Sequence, residues 1–232
     1  MTNNRKKAWL AWSSGKDSAW ALHVLRQQGE FEIVALLTTV NLTYKRVAMH
    51  AVRESLLETQ AAAAGLPLVK VAIPSPCPNE TYEWAMDKAM ARARNEGVWH
   101  VAFGDLFLED IRAYREKQLA VCGMTPVFPV WGIDTRQLAE KMLAEGLSAR
   151  LTCVDPKKLD RSFAGRRFDA ELLADLPEGV DACGENGEFH TFACEGPMFR
   201  EKIAVSVGEI LEREGFVFAD LLPEERAASA SL

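Results

Sequence analysis

Three short segments of the 232-residue chain carry side chains whose types and spacing could do chemistry. The first is Ser13-Ser14-Gly15-Lys16-Asp17-Ser18. Small residues let the backbone approach a ligand closely, and a helix starting here presents unpaired N–H groups and the positive end of its dipole, with Lys16 as a mobile cation. That combination suits phosphate. It is not a Walker A loop, because the GxxxxGK spacing is absent and Asp17 follows the lysine where that pattern has a hydroxyl. A plain helix N-cap with Asp17 in the first turn is the structural alternative, but a cap explains neither Gly15 nor Lys16.

The second segment is Gly104-Asp105-Leu106-Phe107-Leu108-Glu109-Asp110-Ile111-Arg112, with Glu116 one turn on. Carboxylates beside a triphosphate make sense as magnesium ligands or as partners of positioning arginines; they can equally begin a helix whose dipole favours them. The third runs from Asp181 through Cys183-Gly184-Glu185-Asn186-Gly187-Glu188-Phe189-His190-Thr191 to Gly196-Pro197-Met198-Phe199. Two glutamates and a histidine on a glycine-rich backbone could supply acid–base groups. An Asn-Gly turn in a hairpin accounts for the same composition. One histidine with scattered carboxylates has no diagnostic metal spacing.

The elements around these segments follow from periodicity. Short apolar runs alternate with helical patterns, which signals β–α units and a parallel, doubly wound sheet. Strands are expected at 8–12, 33–39, 68–73 and 98–103, and helices at 18–28, 50–64, 80–95 and 111–121. The first segment then joins a strand to a helix, and the second follows a strand's carboxyl end, so both should face one crevice. Pro126 and Pro129 break the rhythm, placing a soft boundary near 123–129. Beyond it come helices at 135–145 and 168–176, a strand at 149–154, the loop at 183–188 and a last helix at 207–214. The expected units are a domain at 1–125, a second at 126–223 and a disordered tail at 224–232.

Composition limits the classes. With 48% hydrophobic and 26% charged residues the chain reads as an ordinary globule. Five cysteines without a CxxC pair argue against a disulfide framework and a tetrathiolate zinc site. No apolar run reaches the length of a membrane span, and a cytoplasmic location is expected. A net charge of −6 disfavours broad nucleic-acid binding. The stretch Lys157, Lys158, Arg161, Arg166 and Arg167 is either a solvated face or a docking patch for an acidic partner.

The first hexapeptide resembles the SGGKDS pyrophosphate loop (PP-loop) of ATP pyrophosphatases, with Ser14 where glycine is usual. Ser14 must then adopt the backbone geometry of a glycine. Gly184 to Thr191 (GENGEFHT), Gly196 to Phe199 (GPMF), Gly104-Asp105 with Glu109-Asp110 and Arg112, and Pro129-Val130-Trp131-Gly132 together resemble the diphthine–ammonia ligase family. The resemblance extends to about Phe218. Arg46-Val47-Ala48-Met49-His50 with Val52-Arg53 is similar to bacterial-type members, for which the acid substrate is expected to differ.

The resemblance implies an adenine nucleotide alpha hydrolase-like (HUP) α/β domain with a mainly parallel sheet and a smaller α+β domain. It implies ATP and Mg2+ as cofactors, and ammonia and a carboxylic acid as partners, the acid being a small molecule or a modified protein side chain. The acid is adenylylated, pyrophosphate leaves, and ammonia displaces AMP. Matching positions assign Ser13, Ser14, Gly15, Lys16, Asp17, Ser18 and Gly104 to nucleotide binding, Asp17 and Asp105 to metal, and Lys16, Asp105, Glu185, Glu188 and His190 to catalysis, with His50 and Arg53 as weaker candidates. A homodimer is compatible with this reading. The rival readings are an RNA-modifying relative and an ATP-binding sensor without catalysis.

Overall fold

The computed structural model describes residues 5–42, 46–47 and 52–224. The first strand, β1 (Lys6–Ala11), has three consecutive buried residues, Ala8, Trp9 and Leu10. A strand buried on both faces belongs at the centre of a covered parallel sheet. β1 pairs in parallel with β2 (Phe31–Asn41) on one side and β5 (His100–Ala102) on the other. β4 (Leu68–Ile73) adds to β2 and β6 (Thr125–Val127) to β5, all parallel, and only the two-residue β3 (Arg46–Val47) runs antiparallel. The parallel strands therefore lie in the order β4-β2-β1-β5-β6. Strand order reverses between β1 and β5, which is where open α/β sheets bind ligands.

Helices cover both faces. α1 (Lys16–Gln28) and α2 (Glu54–Ala64) end at Gly29 and Gly65, both left-handed. α3 (Asn79–Asn95) and α4 (Glu109–Val121) pack on the opposite face, and the expected stripe of α3 is core where Ala89, Met90 and Ala93 are buried with Trp9 and Phe103. The 50–64 helix begins four residues later than expected, after Arg53; residues 48–51, including His50, lie outside the described residues.

The second sheet is antiparallel: β10 (Val205–Arg213), β11 (Phe216–Pro223), β7 (Ser148–Val154) and β8 (Arg167–Phe168) in that order, with β9 (Phe189–Glu195) on β7. α5 (Thr135–Ala144) and the short α6 (Ala170–Asp175) flank it. One apolar core runs from Ala8, Leu10 and Trp20 through Leu151 and Phe192 to Val217, so α1 is buried between the two sheets.

The helix expected at 207–214 is instead strand β10, hairpinned to β11 through Glu214 and Gly215, both at positive φ. That two-residue turn matches the twist of a hairpin. The alternation along β11, with Val217, Ala219 and Leu221 buried and their neighbours half-buried, is the period of a strand. β6 pairs with β5 and so belongs to the first sheet, although Pro126 lies within it.

Candidate functional site

The turn between β1 and α1 opens at the carboxyl end of the first sheet. It lines a cleft of about 510 Å³ together with Thr38 and Thr39 of β2, Gly104 and Asp105 after β5, and Glu185, His190 and Thr191 from the second sheet. All three chemistry-bearing segments thus meet across the strand-order reversal.

Ser14 takes a left-handed backbone, φ 71°, the geometry that glycine supplies in the resembling loops. For an L residue this costs about 1–2 kcal/mol, so other contacts must hold it. The Ser14 carbonyl accepts from the Ala193 N–H at 2.9 Å and from Gln60 Nε2 at 3.0 Å. Gln60, fully buried on α2, also donates to the Ala193 carbonyl at 2.7 Å and accepts from Trp12 Nε1 at 3.0 Å. Ser14 Oγ is buried with no hydrogen-bond partner.

The start of α1 is bonded across to β9, the Lys16 N–H donating to Thr191 Oγ1 at 3.0 Å. Within the turn Ser13 Oγ accepts from the Gly15 N–H and lies 3.2 Å from Ser18 Oγ, which donates to the Gly15 carbonyl. Gly104 closes the turn from the side of β5. A Cβ there would sit 2.8 Å from the backbone of Asp17 and Ser18, so only glycine allows this approach.

Lys16 is 1% exposed. Its ammonium donates to both Asp17 carboxylate oxygens, at 3.0 and 2.9 Å, and to the Cys183 carbonyl, and lies 5.3 and 5.4 Å from the ring centroids of Phe168 and Phe189. Burial disfavours the charge, but Asp17, Cys183 and Glu185 together outweigh it and hold the Lys16 pKa above its ordinary value. Asp17 keeps a quarter of its side chain exposed.

Asp105 pairs with Arg115 of α4, accepting at 2.5 and 3.2 Å, so the arginine-partner geometry is present in the second segment. Glu109 and Asp110 occupy the first turn of α4, the helix-start geometry. Arg112 bonds Glu116 at 2.8 Å and lies over the rings of Phe128 and Trp131. Among the described residues no cluster of three or more His, Cys, Asp or Glu could hold a metal ion.

The third segment is a shaped loop entering β9, not a two-residue hairpin turn. Asp181 Oδ1 accepts from the N–H groups of Cys183 and Glu185, both at 3.0 Å, and Gly184 takes φ 73° where a Cβ would meet the Phe189 carbonyl at 2.7 Å. Glu188 is 3% exposed and braces the loop, its Oε1 accepting from the Asp181 N–H and from Asn186 Nδ2. Glu185 points into the cleft and accepts from the Leu106 N–H at 2.8 Å. Burial, aided by Asp17 and Asp105, lifts its pKa from 4.5 to about 7. Burial next to Lys16 lowers that of His190 from 6.5 to about 4.

Gln60, Thr191 and Asp181 were not assigned roles from sequence. Gln60 carries one usable signal, an amide four and three residues after Leu56 and Leu57, on the apolar face of its helix. The GPMF segment supports the turn from behind, with Phe199 edge-on to Trp12 at 6.2 Å and Arg26 donating to the Met198 carbonyl. Arg53 lies outside the cleft lining and pairs with Asp220. In the basic stretch Lys158 donates to the Asn186 carbonyl and Arg166 pairs with Asp175, so these two charges serve the fold.

Family comparison agrees with this geometry. Residues 6–126 match the diphthamide synthase N-terminal domain and residues 134–221 its C-terminal domain. The chain belongs to the diphthamide synthase family. Within that family it is 24% identical to the mouse diphthine–ammonia ligase over 234 positions, covering 89% of this chain and 85% of the relative. The bovine diphthine–ammonia ligase is 24% identical, covering 76% and 70%, and the zebrafish one is 31% identical over 124 residues, about half of each chain. The diphthamide synthase N-terminal match contains the β1–α1 turn, and the C-terminal match contains the 183–190 loop.

Proposed function

We propose that this protein is an ATP-dependent ligase that converts a carboxylic acid to its amide, with AMP and pyrophosphate as by-products. The observation carrying this reading is the meeting of the β1–α1 turn with Glu185 and His190 in one cleft. A carboxylate is a poor acyl donor because oxide is its leaving group, so it must first be converted to an ester of a good leaving group.

The acid oxygen attacks the innermost phosphorus, the bond to the bridging oxygen breaks, and pyrophosphate departs with that electron pair. The turn's oriented N–H groups and Lys16 neutralise the departing charge. To do so the Lys16 ammonium exchanges a contact with Asp17 or Cys183 for one with phosphate. Ammonia then attacks the acyl carbon, AMP leaves, and the surplus proton goes to Glu185, whose pKa near 7 suits a base at neutral pH. His190, neutral at that pH, can orient either reactant by hydrogen bonding.

Mg2+ normally takes one or two carboxylates together with phosphate oxygens. Asp17 and Asp105 both line the cleft and would supply those carboxylates on giving up a bond from Lys16 and from Arg115, and the ion would shield the phosphate charge. Glu188 acts by holding the loop in shape. The proposed division places nucleotide binding in 1–125 and acceptor binding in 126–223, in the cytoplasm. The test is incubation with ATP, Mg2+, ammonium and a panel of carboxylic acids. Acid-dependent formation of AMP, pyrophosphate and amide is expected; ADP and phosphate as products would reject the reading.

The mouse, bovine and zebrafish relatives are named for diphthine as their acid. For this chain the ATP chemistry is proposed for the β1–α1 turn.

A further inference from the structure

A second cavity of about 280 Å³ lies between β10, β11 and the Arg46–Val47 strand. It shares two wall residues, Val47 and His190, with the nucleotide cleft. We propose that this cavity is the acceptor pocket, and that it takes a compact carboxylic acid with an apolar body whose carboxylate points towards His190. The assignment rests on the ligase reading above.

A reaction that couples an acid to the inner phosphorus needs a second compartment entering the cleft at its phosphate end. The opposite end of the cleft is apolar, walled by Met86, Met90 and Phe103, and suits a nucleobase. The small cavity beside that end, between α3 and α4, measures about 70 Å³ and cannot hold a second substrate. The 280 Å³ cavity lies at the His190 end and falls just below the usual range for ligand pockets, about 300–1,000 Å³, so its occupant must be small.

The walls state the chemistry. Leu211, Phe216, Phe218 and Val47 offer an apolar and aromatic surface for the body of the acid. Two guanidinium groups, Arg46 and Arg53, converge on the single carboxylate of Asp220, at 2.8 Å from Arg46 and 2.5 Å from Arg53. In the lining Arg46 and Arg213, the latter exposed at the rim, stand against Asp220 and Glu214, and with Arg53 beside them the guanidinium groups outnumber the carboxylates three to two. An anion is drawn in while apolar contacts select its body. The same chemistry could arrive as a free acid or as a carboxylate borne on a protein side chain.

The experiment measures binding to the full-length protein with ATP bound. The probes are 3-phenylpropionate, its uncharged counterpart 3-phenylpropanol, and a capped pentapeptide whose one carboxylate is on 4-carboxyphenylalanine. Leu211→Trp fills the cavity, and Arg213→Glu reverses a rim charge at an exposed position. An acid probe is expected to bind, with affinity falling at least tenfold in Leu211→Trp and severalfold in Arg213→Glu, while ATP affinity stays within twofold in both.

Binding of the free acid points to a small-molecule source, and binding of the peptide alone points to a protein-borne one. Equal affinity in wild type and Leu211→Trp, equal binding of the alcohol, or no binding of either acid probe overturns the assignment. If Leu211→Trp fails to fold, the Arg213→Glu arm decides by itself. Cavity-dependent acid binding in a protein that does not bind ATP would leave the pocket standing and remove the ligase reading.

Discussion

The β1–α1 turn and the 183–190 loop face one another across the cleft, yet they are built by opposite means. The turn works through backbone: Ser14 in a left-handed conformation, N–H groups at the helix start, and one cation. The loop works through side chains, with Asp181 and Glu188 turned inward to hold its shape and Glu185 turned outward to the cleft. A phosphate-binding surface must be rigid before its ligand arrives, whereas an acid–base group must have its proton affinity tuned. Rigidity of the turn comes largely from the other half of the chain, through Thr191, Ala193 and the Cys183 carbonyl.

Four substitutions probe this contrast. Lys16→Ala removes the cation common to both loops, and pyrophosphate release should fall by about 10²–10³-fold, the scale for losing one preorganised donor. Unchanged turnover would break the assignment of the turn to phosphate. Gln60→Leu leaves the Ala193 carbonyl and Trp12 Nε1 without their partner, which should lower stability in urea by about 2–4 kcal/mol and raise the KM for ATP. A normal urea midpoint would show that the left-handed turn needs no brace from α2.

Glu185→Gln tests the tuned side of the comparison. Its folded pKa, about 7, lies above the ordinary 4.5, so its proton-linked stabilisation is complete below about 4.5 and is lost as pH rises through 7. The variant should therefore gain stability relative to wild type between pH 5 and 8, by about 1–3 kcal/mol. Its rate should lose the titration near 7. A wild-type pH–rate profile flat from 6 to 8 would contradict the role given to Glu185. His190 contributes in the opposite sense: its depressed pKa stabilises above 6.5 and the contribution disappears as pH falls through about 4.

The smallest effect is expected from Ser14→Gly, which relieves the left-handed strain and removes a buried hydroxyl that has no partner. Greater freedom of the unfolded chain offsets part of the gain, leaving about 1 kcal/mol of added stability, read as a higher melting temperature. A loss would mean that Ser14 Oγ has a role the contacts do not show.

The parallel sheet was legible because its strands are short apolar runs punctuated by glycine and proline, and the turn was legible as a strand-to-helix junction because Ser13 to Ser18 separates an apolar run from a helical pattern. The meeting of segments one and two was legible only through the general rule for ligand position in open sheets, and the arrival of segment three in the same cleft was not legible at all. The 207–214 strand was missed because its apolar residues, Val207, Ile210 and Leu211, also fit a helical spacing, and Glu214 adopts positive φ without being glycine. Gln60 and Thr191 were missed for a different reason. Their partners are 133 and 175 residues away along the chain, and no local pattern encodes a bond of that span.

The bond from the Ala193 N–H to the Ser14 carbonyl has a bearing on how such a protein can change over generations. A recombination event that swapped everything after residue 126 for a foreign counterpart would also exchange half of the scaffolding under the β1–α1 turn. New acceptors should therefore arise by drift within the β10–β11 walls, while β9 travels as a fixed companion of the opening strand.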